Sequence, residues 1–265
     1  GFGDNGLIHL NTHRLNTEIK MIAGAGHTVH RDRPQEFLRV VNEFIHGGKM
    51  QKQAMQLGIS VEGVAFEKEV AAAGMLPRGA AIATGSGALA SSGIKSIIHA
   101  ASGSMTRDGA LFDPTLKGVV DAVRNSLLLA KNGGHARVAI PFIGGNIFSQ
   151  RIGIAPKDLA REIVQTALTH KDGMELRFVT FAPEETQIFK DIFKELGDQT
   201  KGAEVLQGSI TDFKLHGASV IVNAANMEAQ FGGGLSGVIA RAAKTSQAID
   251  QEAARAIAKL NQFIE

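Results

Sequence analysis

Three residue types are missing from this chain of 265 residues: it has no Cys, no Trp and no Tyr. Without Cys there is no disulfide framework, no thiol nucleophile and no thiolate metal site. That absence fits a reducing compartment, and a cytoplasmic location is expected. Without Trp and Tyr, any stacking on a ligand ring falls to Phe or His. An excess of charge of one sign is missing too. Lys and Arg total 28 against 26 for Asp and Glu, a net +2. So small a surplus makes no basic surface of the kind that argues for nucleic acid. No apolar run reaches the roughly 18 residues of a membrane span. No basic stretch leads into an apolar one at the N-terminus, so no signal peptide is expected.

Hydrophobic residues make up 44% of the chain, enough for a sizeable core. The length suits one large domain, or one domain with an appendage. The most informative stretch is Val220-Ile-Val-Asn-Ala-Ala-Asn226, followed by Gly232-Gly-Gly-Leu-Ser-Gly237. Ser219 to Val222 is small and β-branched and reads as a buried strand. Three glycines then let the backbone approach a ligand and aim several N–H groups at one spot. A helix starting just after them adds its positive end, which suits a diphosphate. The same string also fits a plain strand–turn–helix with a flexible turn.

Elsewhere the chain alternates strands and helices. Residues 49–73 read as helical. Strands are expected at Gly79–Ala83, Ile94–Ala100, Ala136–Ile140 and Glu175–Phe181. Asp113-Pro114 reads as the cap of a helix with Leu116, Val120, Val123 and Leu127 on one face. Further helices are expected at Pro156–Leu168 and over Ile188–Leu196, ending at Gly197. A last helix carries Ile249, Ala253, Ile257, Leu260 and Ile264 on one side. His99, at a strand end, reads as a hydrogen-bonded core residue, with ligand contact as the other reading.

The string from Val220 to Ala243 closely resembles the signature of macrodomains, which bind ADP-ribose. The resemblance implies that Asn226 contacts the distal ribose and carries any catalysis. It implies that Gly232, Gly233 and Gly234 wrap the diphosphate, with Ala225 and Leu235 beside them. A second hallmark is Pro141-Phe-Ile-Gly-Gly-Asn-Ile-Phe148. There Ile143, Gly144, Gly145, Asn146 and Ile147 would meet the diphosphate from the other side, and Phe148 would pack on the distal ribose. The family usually has Gly where this chain has Asn146. Phe181 stands where an aromatic lies against the adenine. Gly208-Ser-Ile-Thr resembles the family's Gly-Asp-Ile-Thr, so Ser209 and Ile210 are further ligand residues. Ser209 replaces an Asp that accepts from the adenine amino group, and a hydroxyl is the weaker acceptor. Ser236 and Ala240 stand where one hydrolytic group of the family has Asp and often His.

The hallmarks come in an unusual order. The late half, from about Gly79 to Gly197, precedes the early half, from about Ala203 to Ala243. One explanation is a single circularly permuted macrodomain over residues 49–265, with helices on both faces of a mixed sheet. Two broken neighbouring domains is the other. Residues 1–48 resemble the C-terminal end of α/β-hydrolases, with His27 in a Gly-x-Gly-His turn. No Gly-x-Ser-x-Gly elbow occurs, so this segment reads as a hydrolase remnant or an appendage, and His27 as structural. The resemblance implies a hydrolase of mono-ADP-ribosyl or O-acyl-ADP-ribose links. The alternatives are a non-catalytic ADP-ribose reader or a fragment of an α/β-hydrolase fusion protein. No cofactor, metal, nucleic acid or membrane partner is expected. The expected partner is ADP-ribose or an ADP-ribosylated protein.

Overall fold

Val220, Ile221 and Val222 are completely buried. Successive residues of a strand face opposite ways, so such a run must be covered on both faces. The computed structural model describes residues 50–66, 68–105, 111–112, 114–145 and 147–263. The chain divides into two units, Gly1–Lys49 and Met50–Glu265, and every described residue belongs to the second. The features expected within residues 1–48, His27 among them, lie outside the described residues.

After a helical stretch over 50–56, the elements in chain order are β1 (Ile59–Ser60), α1 (Lys68–Ala72), β2 (Ala81–Gly85) and β3 (Ser96–Ala101). A small ribbon of β4 (Ser104–Met105) and β5 (Leu111–Phe112) follows, then α2 (Leu116–Asn132) and β6 (Arg137–Ile140). Next come α3 (Ile147–Ile152), α4 (Pro156–His170), β7 (Glu175–Thr180), α5 (Pro183–Leu196) and β8 (Ala203–Gln207). The chain continues through α6 (Phe213–His216), β9 (Val220–Ala225), α7 (Gly234–Ala243) and α8 (Ser246–Asn261).

Seven strands form one mixed sheet in the order β1-β2-β3-β9-β6-β7-β8. Strands β3, β9, β6, β7 and β8 are parallel neighbours, while β1 and β2 join antiparallel at one end. Val138 pairs with Val220 and Ala139 with Ile221, so strands far apart in sequence lie side by side.

Alternation along the strands builds two cores. Ile98, Val138, Phe178, Val220 and Val222 pack on one face with Val123 and Leu127 of α2, Leu159 and Ile163 of α4, and Phe189 of α5. Ile97, Ala139, Val179 and Ile221 face the other way, onto Ile239 of α7 and Ile249 of α8. The sheet is therefore covered by helices on both faces. In α8, Ile249, Ala253, Ile257 and Leu260 are the buried stripe, as their spacing requires.

Three local expectations need correction. The segment 49–73 is not one helix, because β1 interrupts it. Helix α2 is capped by Thr115, whose side chain accepts from Gly118 N–H at 3.0 Å; Pro114 precedes that cap. The strand before Phe181 ends at Thr180, and Phe181 is 81% exposed.

One buried amide ties the short β1 to the rest. Asn125 of α2 is fully buried. Its Oδ1 accepts from Ser60 Oγ at 2.5 Å and Glu62 N–H at 2.9 Å. Its Nδ2 donates to Glu62 O at 3.1 Å and Gly79 O at 2.8 Å. Replacing it leaves several buried groups without partners, at a cost of about 1–3 kcal/mol for each. Asn125→Ala is expected to lower unfolding free energy by about 3 kcal/mol, read from urea denaturation. A loss below about 0.5 kcal/mol would show that water replaces the amide.

Candidate functional site

The five parallel strands all end on one rim, where open α/β sheets place ligands. A cleft of about 560 Å³ lies there. It is lined by Gly144 and Gly145 after β6, Phe181 after β7, Ser209 and Ile210 after β8, and Gly233, Gly234 and Leu235 at the start of α7. Residues expected from both hallmark loops thus line one cleft. Thr180, Glu185, Ala224, Ser236 and Val238 also line it.

The loop from β9 to α7 is held by a series of short bonds. Met227 O accepts from Leu76 N–H at 2.8 Å. Asn226 O accepts from Ala229 N–H at 3.0 Å, and Asn226 Oδ1 accepts from Gln230 N–H at 3.1 Å. Phe231 N–H donates to Asp250 Oδ1 at 3.0 Å, and Gly232 N–H donates to Ser236 Oγ at 3.3 Å. Asn226 is half-buried, and neither it nor Gly232 is among the residues that line the cleft. Ile143 is fully buried beneath the rim, and Ala225 is buried as well. Asn146 and the side chains of Ile147 and Phe148 lie outside the described residues.

Beyond Gly232 the pattern changes. The N–H groups of Gly233, Gly234, Leu235 and Ser236 have no protein acceptor among the described residues. These are the orphan donors of a helix start, where the macrodipole is positive. Gly234 has φ of 57°, a region that side chains other than glycine's rarely allow. Gly237 is needed for close approach: a Cβ there would meet Gly232 O at 2.8 Å. On the facing loop Gly144 has φ of 76°, and its N–H also lacks a protein acceptor among the described residues.

A chain of polar groups runs under the glycine loop. Asn223 Nδ2 donates to Ser236 Oγ at 3.3 Å and to His99 Nδ1 at 3.3 Å. His99 Nδ1 is then the acceptor, so Nε2–H donates to Thr84 Oγ1 at 2.9 Å. The His99 ring also lies 5.3 Å from Phe231, tilted. Burial pushes the His99 pKa down to about 4, so the ring is neutral near pH 7. Ser236 Oγ accepts two N–H bonds, which leaves its own proton free to donate into the cleft. Asn223 Oδ1 is buried with no partner.

His216 fixes the opposite wall. It is buried, accepts from Ala218 N–H at 3.0 Å and donates Nε2–H to Ile210 O at 3.0 Å. Ser209 Oγ accepts from Thr211 N–H at 3.3 Å. Ser236, Asn223, Glu185 and His216 were not sequence candidates for the site. Asn223 sits inside the motif, but only the fold reveals that it points to His99. Glu185 has no motif around it.

No group of His, Asp and Glu able to hold a metal occurs among the described residues. No helix among them is long and apolar enough to cross a membrane. Comparison with known proteins finds no matching family model, no similar curated protein and no similar solved structure.

The neutral buried ring has a pH signature. Its folded pKa lies below the ordinary value of 6.5, so the unfolded chain binds a proton more readily. The stabilisation is complete above about pH 6.5 and is lost as pH falls toward 4. Across that window His99 is expected to remove about 3 kcal/mol. His99→Gln should flatten the acid limb of a urea-denaturation series. An unchanged limb would assign acid sensitivity to other groups.

Proposed function

We propose that the cleft binds ADP-ribose, and that residues 49–265 are a circularly permuted macrodomain. One observation carries the reading. Among the described residues, the N–H groups of Gly144, Gly233, Gly234, Leu235 and Ser236 are unpaired and belong to loops that line one cleft, and no basic side chain lines it. Backbone donors at a helix start are suited to an anion held without a cation. The exposed Phe181 supplies a flat apolar face for a base. The parallel pairing of β6 with β9 supports one permuted unit, because two broken domains would not share a sheet in this register.

As a hydrolase, the site would remove ADP-ribose from proteins or small acyl adducts. Asn226 would hold the distal ribose, and the ligand's own phosphate would take part in activating water. A second reading, a module that binds without turnover, is favoured by a specific observation. Among the described residues, Glu185 is the one ionisable side chain that lines the cleft. It follows β7 beside Phe181, not β9 beside Asn226. Among the described residues, no general base is therefore on hand at the ribose end.

Calorimetric titration tests the reading. ADP-ribose is expected to bind, and AMP to bind at least about tenfold more weakly, because it lacks the second phosphate and the distal ribose. Ligand at about 100 times its Kd should add about 2.7 kcal/mol to unfolding free energy. Absence of heat and of thermal shift at millimolar ligand would overturn the proposal. Asn226→Ala is expected to weaken binding by about 0.5–1.5 kcal/mol and to abolish any hydrolysis. Unchanged affinity and rate would assign Asn226 only to the turn it forms with Gln230.

A further inference from the structure

The cleft has two chemically different ends. The strands behind it run in the order β9-β6-β7-β8. The glycine loops follow β9 and β6. Phe181 and Glu185 follow β7, and Ser209 follows β8. About two strand spacings, roughly 10 Å, separate the anion-suited end from the other. The single carboxylate of the lining among the described residues, Glu185, stands at that far end, away from the unpaired N–H groups. Gly208 N–H donates to Thr180 O at 2.9 Å, so the turn bearing Ser209 is fastened to the end of β7.

Phe181 and Glu185 flank the start of α5. Phe181 is 81% exposed and free to stack. Glu185 lies in the first turn and is half-buried. It is the third residue of α5, after the N-cap Ala182, a position that Glu and Gln both suit. A carboxylate has about four lone-pair sites, and Glu185 is part of the cleft lining.

We propose that Glu185 reads the base of the ligand by accepting a hydrogen bond from its exocyclic amino group. This rests on the ADP-ribose reading above. An ionised carboxylate accepts and cannot donate. It therefore favours a base with an amino group at this edge and disfavours one with a carbonyl oxygen there. Ser209 alone offers only a neutral hydroxyl, already engaged by Thr211. Glu185 adds a charged acceptor from the next strand's helix, and bonds to charged groups are the stronger kind.

The test uses the full chain, ADP-ribose and its hypoxanthine counterpart, in which a 6-oxo group replaces the 6-amino group. The wild-type protein is expected to prefer ADP-ribose by about tenfold or more. Gln suits the N3 position as well as Glu, so the melting temperature of Glu185→Gln should hold. The variant is expected to lose most of the preference, because its amide can donate to the 6-oxo group. A purely capping role would leave the ratio untouched. Equal affinities in the wild type, or an unchanged ratio in the variant, overturns the role of Glu185 and leaves ADP-ribose binding standing. Failure of both ligands to bind the wild type at millimolar concentration overturns both.

Discussion

Strand β9 is hydrogen-bonded along both edges, to β3 on one side and to β6 on the other, and both pairings are parallel. The rest of the molecule depends on that register. Parallel strands send all their C-terminal ends to one rim, so the loops after β6, β7, β8 and β9 have nowhere else to meet. A slip of one residue would turn Val220 and Val222 from the α2 side to the α7 side. Both faces are filled, by Val123 and Phe189 on one side and Ile239 on the other, so neither can accept the exchange.

Beneath the cleft the protein uses polarity without charge. Thr84, His99, Asn223 and Ser236 form a buried chain in which the ring is held neutral. A protonated imidazole there would be an unpaired charge in a dry interior, which is costly. The neutral chain instead hands its last bond to Ser236, at the first turn of α7. Core packing and loop position are linked through that hydroxyl, because Ser236 also receives Gly232 N–H.

The strands and long helices were legible because their apolar residues recur at period 2 or 3.6 and end at glycine or proline. Helix α5 stops at Gly197 and α8 buries Ile249, Ala253, Ile257 and Leu260 as spacing implies. Strand β1 was not legible. It is two residues long and held by Asn125, 65 positions from Ser60, so nothing local marks it. The glycine loops were legible as sequence, but their use was not. Which N–H groups are spent inside the loop depends on Asp250 and Ser236, and only folding brings Asp250 near. Glu185 carries no motif, and its place on the cleft follows from β7 pairing with β8.

The N–H groups left over by the glycine loops have one more consequence. A binding surface made of main chain has no side chain to lose. Point substitution can obstruct Gly234 or Gly144 but, proline apart, cannot delete the donors, and no proton is gained or lost there at any ordinary pH. A grip of this kind is indifferent to acidity and tolerant of sequence drift everywhere except at the few positions where glycine's conformation is required. For the ligand proposed above, discrimination would by contrast come from the side chains at the other end of the cleft, which are free to change.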